Sequence, residues 1–134
     1  MKILWHCVFL ASLLAVLPLA AAQAAAGPVT LEEKDRGRTV TLKAGQRLII
    51  NLRNPASGGY TANPPVFDSR ILKLISQEKK PPAPQKPPRL GDFGLLCYEW
   101  EALSPGETDI VINIHRPWEK KPPQEFWRVK VLVK

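Results

Sequence analysis

The chain has 134 residues, with 19 Lys and Arg against 12 Asp and Glu, a formal net charge of +7. That length supports one domain with a modest core and excludes two. The cations are scattered rather than gathered along one groove with stacking aromatics, which argues against a nucleic-acid partner.

Residues 1–24 have the three parts of a secretory signal. Lys2 supplies the charge, an apolar run extends from Ile3 to Leu19, and AAAQAAAG offers small-x-small cleavage positions. A retained membrane anchor is the competing reading, but Pro18 breaks the run and alanines follow it. Cleavage after Ala24 is expected, leaving a domain over 25–134 that is periplasmic or secreted and free of the membrane. Removal takes Cys7 and Lys2, so the net charge falls to +6 and Cys97 becomes the single thiol. One cysteine cannot close an internal disulfide, so stability must come from packing.

The mature stretch TVTLKAGQRLIINLR holds two alternating runs around a turn at Ala44-Gly45-Gln46. Val40 and Leu42 share one face, and so do Leu48, Ile50 and Leu52. ILKLIS is a short strand. LLCYEWEA sets Leu96, Tyr98 and Trp100 against Glu99 and Glu101. After the turn residues Ser104-Pro105-Gly106-Glu107, DIVINIHR aligns Ile110, Ile112 and Ile114. FWRVKVLVK aligns Trp127, Val129, Val131 and Val133 against Arg128 and Lys130. Short strands spaced by turns, with no helical period, predict an all-β sandwich. Tyr98, Trp100 and Trp127 read as core. KKPPAPQKPPR, residues 79–89, favours an extended polyproline conformation and reads as an exposed connection, not as a strand.

No carboxylate pair, metal-ligand spacing or nucleophile–base frame is present, so the residues predict no enzyme, no metal and no cofactor. Cys97 reads as a half-buried spectator, with His115 the only histidine available to it after export. Three loops stand out instead. NPASGGY combines Pro55, which restrains itself and Asn54, with Gly58 and Gly59, which open backbone angles closed to other residues. RLGDFGL brackets Asp92 and Phe93 with Gly91 and Gly94. HRPWE leaves an apolar strand and is followed by KKPPQ. Singly, each is explained by a tight turn or by a tryptophan plugging the sandwich end.

In this order and setting the three loops resemble the chagasin-like family of cysteine protease inhibitors, over nearly all of the mature chain. Asn54, Pro55, Ser57 and Tyr60 match its first loop, with Gly58 or Gly59 as the loop glycine. Gly91 and Gly94 match its glycine-rich second loop, and Arg116, Pro117 and Trp118 match its third. The first loop has one glycine more than the family pattern, and Ala62 stands where many relatives carry tryptophan. The resemblance implies an immunoglobulin-like β-sandwich whose three loops fill the cleft of a papain-family cysteine protease; a monomer is expected. It implies a binding set of Asn54, Pro55, Ala56, Ser57, Gly58, Gly59 and Tyr60, then Gly91, Asp92, Phe93 and Gly94, then Arg116, Pro117 and Trp118. In that set the first loop is the central wedge and Trp118 a flanking anchor. Arg116 either orients the loop or pairs with an acidic group of the protease. The alternative is an exported adhesion or envelope-binding sandwich that keeps the loops only as turns.

Overall fold

The computed structural model describes residues 26–134; the expected signal segment, 1–24, lies outside them. Eight strands form two four-stranded sheets. They are β1 (Val29–Glu32), β2 (Thr39–Leu42), β3 (Arg47–Arg53), β4 (Thr61–Ala62), β5 (Leu72–Lys80), β6 (Leu95–Ala102), β7 (Gly106–His115) and β8 (Gln124–Val133). One sheet runs β1-β3-β6-β5 and the other β2-β8-β7-β4. The edge pairs β1–β3 and β2–β8 are parallel, and all other pairs are antiparallel.

Alternation explains why these segments are strands and why the sheets face each other. Leu48, Ile50 and Leu52 of β3 and Leu96, Tyr98 and Trp100 of β6 turn inward from one sheet. Ile110 and Ile112 of β7 and Trp127, Val129, Val131 and Val133 of β8 turn inward from the other. With period-2 side chains, one face of each sheet must be covered, and the two inner faces cover each other. Tyr98 stacks on Trp100 with ring centroids 5.5 Å apart. Phe67 meets Trp100 edge-on at 6.0 Å. Each fully buried apolar side chain of this kind contributes roughly 1.5–3 kcal/mol. The all-β, immunoglobulin-like sandwich is the fold.

Several local features differ from the sequence reading. The ILKLIS strand continues through Gln77 and Glu78 to Lys80, so the first two residues of KKPPAPQKPPR belong to β5. As an edge strand its far half covers no core, and a bulge between Leu74 and Ser76 breaks the alternation. The strand β1 buries only Leu31 and β4 has two residues, so neither shows a period. Cys97 is buried rather than half-buried: it lies on the outer face of β6, flanked in register by Asn51 and Glu78. His115 is in the other sheet, with its Nδ1 against the Asn63 side-chain oxygen.

The topology puts three connections at one end. The β3–β4, β5–β6 and β7–β8 links contain, respectively, NPASGGY, RLGDFG and RPWE.

Candidate functional site

The first loop is not an irregular coil. Pro55–Gly58 forms one turn of 3-10 helix. Asn54 caps it, its side-chain oxygen accepting the Ala56 N–H at 3.1 Å. Asparagine at the cap and proline at the first helical position are the residues such a start prefers: the cap oxygen accepts the otherwise orphaned Ala56 N–H, and proline has no N–H to leave unpaired. That signal is legible in the sequence, and the reading of the segment as a plain loop missed it. Gly59 ends the turn with φ +78°, its N–H donating to the Ala56 carbonyl at 2.9 Å.

Only one of the two adjacent glycines therefore uses the left-handed region. Gly58 does not, and lacks a side chain for a steric reason: a Cβ there would stand 2.9 Å from the Tyr60 ring. Gly59 is constrained twice. Besides its positive φ, a Cβ would fall 2.2 Å from the Trp118 ring. The Trp118 indole thus rests directly on glycine backbone, which ties the third loop to the first.

Arg116 makes the same junction from the other side. Its Nε donates to the Gly58 carbonyl at 2.8 Å, and its Nη1 pairs with Glu119 at 3.0 Å. Its guanidinium lies over the Tyr60 ring, 4.3 Å from the centroid. A planar fork can hold a carbonyl, a carboxylate and an aromatic face together, which an ammonium group cannot. Of the two roles open to Arg116, the geometry provides the orienting one. Glu119, which lies outside the candidate set, completes the arrangement.

The second loop joins through backbone. The Asn54 N–H donates to the Gly94 carbonyl at 3.0 Å, and the Asn54 side-chain amide reaches the Phe93 carbonyl at 3.4 Å. Asp92 accepts the Gly94 N–H at 2.9 Å. Gly94 is where the β5–β6 connection closes on itself, since a Cβ there would lie 1.9 Å from the Lys80 carbonyl oxygen. The Gly91 position faces Ser57 of the first loop.

The structure thus brings all three sequence-selected segments into one surface. Within it Pro55 is buried, while Trp118 is 68% and Phe93 49% exposed. Trp118 is therefore no core plug. Large apolar side chains held out of the core by hydrogen-bonded loops are what a binding surface requires.

Exposed aromatics on hydrogen-bonded loops at one end of a sandwich fit a recognition module, and comparison with known proteins narrows the class. Residues 41–131 match the model of the chagasin family of peptidase inhibitors, I42. The chain belongs to that family and is a peptidase inhibitor, not an enzyme. Among solved structures it is similar to the cysteine protease inhibitor EhICP2 from Entamoeba histolytica. The identity is 24%, the TM-score 0.64, and the match covers 81% of this chain and 96% of that one. It is also similar to PbICP-C, solved in complex with falcipain-2, at 17% identity and TM-score 0.55, covering 79% and 99% of the two chains. These likenesses establish the fold. No curated protein sequence matches the chain.

Proposed function

We propose that the three-loop end inhibits papain-like cysteine proteases reversibly, by occupying the active-site cleft without being cleaved. The observation that carries this reading is the junction of Arg116, Gly58 and Trp118. One guanidinium grips the turn carbonyl while one exposed indole lies on the adjacent glycine. EhICP2 is a cysteine protease inhibitor by name, and PbICP-C was solved bound to falcipain-2. Their shared fold and the family match support carrying that class of target to this chain.

The chemistry follows from the turn. A cysteine protease needs an extended peptide whose carbonyl carbon meets the thiolate while its oxygen enters the oxyanion hole. Pro55–Gly58 is a helical turn, capped at one end and fixed by Arg116 at the other, and is not extended. It can block the thiolate yet not offer it a carbonyl in line for attack. In this reading the first loop is the wedge, Trp118 and Phe93 bury area on either side, and Gly91 and Gly94 let the second loop lie along the groove. Because the loops are bonded to one another before contact, little ordering entropy is lost on binding.

Export is part of the same proposal: Lys2, the apolar run and the small residues after it support a secreted or periplasmic inhibitor. The test is papain with a fluorogenic peptide substrate. Rising inhibitor should raise the apparent KM and leave kcat unchanged; a folded protein that leaves both unchanged refutes the reading.

A further inference from the structure

Beside the second loop, and separate from the wedge, lies a cleft of about 550 Å³. One wall is the start of the proline-rich connection, Pro81 to Ala83, and the other is Arg89 to Asp92 with Gly94. Arg53 and Leu95, from the ends of β3 and β6, complete it. No residue of the first loop lines it, while Gly91 and Gly94 both line it and touch that loop, through Ser57 and the Asn54 N–H.

Its chemistry is lopsided. Arg53, Lys80 and Arg89 line it against a single carboxylate, Asp92, whose Oδ1 already accepts the Gly94 N–H. Among the described residues neither Lys80 nor Arg89 has an ion-pair partner, and Arg53 meets Glu33 only at 3.9 Å. The same walls carry Leu90, 101% exposed, and Leu95, 42% exposed. Cations without partners around exposed leucine suit a ligand that supplies carboxylate and apolar surface together. The frame is stiff: Lys80 and Leu95 are paired in the sheet, and proline forms one rim.

The cleft's position names the occupant. It opens at the same end as the wedge and shares Gly91, Asp92 and Gly94 with the proposed protease-binding set. A protease seated on the three loops must bring surface from outside its catalytic cleft up to it. We infer that this is a second contact site, which receives an acidic, leucine-compatible segment of the target protease beside its active-site entrance. The inhibitor is thereby selective for papain-like proteases that are acidic there. This inference rests on the inhibitory reading above.

The test compares wild type with the Lys80→Glu/Arg89→Glu variant, and with Arg89→Glu alone as a variant confined to the connection. Association rates are measured with papain-like proteases chosen to be acidic or basic beside the cleft entrance. With acidic proteases at about 50 mM salt the double variant should associate about tenfold more slowly, the gap closing by about 0.5 M. With basic ones it should be as fast as wild type or faster. Carbodiimide treatment of the acidic complex should join Lys80 to a protease Asp or Glu outside the catalytic cleft. Equal slowing with both groups, no slowing, no such cross-link, or an Arg89-dependent dimer without protease would each overturn the inference. If wild type inhibits neither group, the inhibitory reading itself has failed. If wild type and variant inhibit both groups alike, only the second site has.

Discussion

Gly59→Ala is the sharpest single perturbation of the wedge, because two independent features of the backbone oppose it. An alanine at φ +78° costs about 1 kcal/mol relative to glycine. Its Cβ would also sit 2.2 Å from the Trp118 ring, so the indole must leave its place. Trp118 is 68% exposed and on a loop, so it can swing aside at little cost to folding. Global stability should therefore fall by only about 1 kcal/mol. Inhibition should suffer more, since turn and anchor are displaced together: about 2 kcal/mol or more, roughly a thirtyfold rise in inhibition constant. A double-mutant cycle isolates the contact. In a Trp118→Ala background the ring is gone, so adding Gly59→Ala should weaken inhibition by much less than it does in wild type. Papain inhibition constants and denaturant midpoints on the four proteins give both quantities. Strict additivity, or native inhibition by Gly59→Ala, would rule out the Gly59–Trp118 contact as a determinant of inhibition.

Other perturbations separate positioning, anchoring and core. Trp118→Ala alone should cost less than about 1 kcal/mol of stability but about 2 kcal/mol of binding, measured by the same pair of assays. Arg116→Lys keeps the charge yet loses the fork over Tyr60 and Gly58, and should raise the inhibition constant about tenfold at nearly unchanged midpoint. Burial pushes the Tyr98 phenol up to about 12, and its hydroxyl has no hydrogen-bond partner among the described residues. Tyr98's contribution to folding stability should thus be level from neutral pH to about pH 10 and fall by about 2–3 kcal/mol as pH rises to about 12. Tyr98→Phe should remove that part of the decline and gain about 1 kcal/mol at neutral pH, by denaturant unfolding. The Glu32 backbone N–H and the Arg38 guanidinium hold the Asp35 carboxyl below its usual range. Its contribution is present above the unfolded value and is lost as pH falls through the lower folded one. Asp35→Asn should flatten the acid limb of a stability–pH curve.

What was legible in the sequence was what repeats locally. The alternation in β3, β6, β7 and β8 marks inward faces because each central strand covers core along its length. Two edge strands escaped it, since β1 buries only Leu31 and β4 has two residues, and the extent of β5 escaped it because it ends in Lys79 and Lys80, which cover nothing. The parallel β1–β3 and β2–β8 pairings join segments whose partners no local pattern names. The loops were legible as segments because Asn-Pro, paired glycines and Arg-Pro-Trp are unusual together. Their interlocking was not. Which glycine takes the left-handed turn depends on Arg116 holding the Gly58 carbonyl and on where Trp118 lies, 58 and 59 residues away along the chain. The basic cleft escaped for the same reason. Arg53, Lys80 and Arg89 read as scattered charges until β3, β5 and β6 end side by side.

In the proposed mode of inhibition the three loops, and no other face of the sandwich, enter the protease cleft. Amide hydrogen exchange of the protein alone and saturated with papain tests it most directly. Protection should appear in Ala56–Tyr60, in Gly91–Leu95 and around Trp118–Glu119. The Asp68–Arg70 and Leu103–Glu107 segments at the opposite end should exchange as in the free protein. Inhibition with protection at that opposite end, or with none in the first and third loops, would rule out this mode of binding.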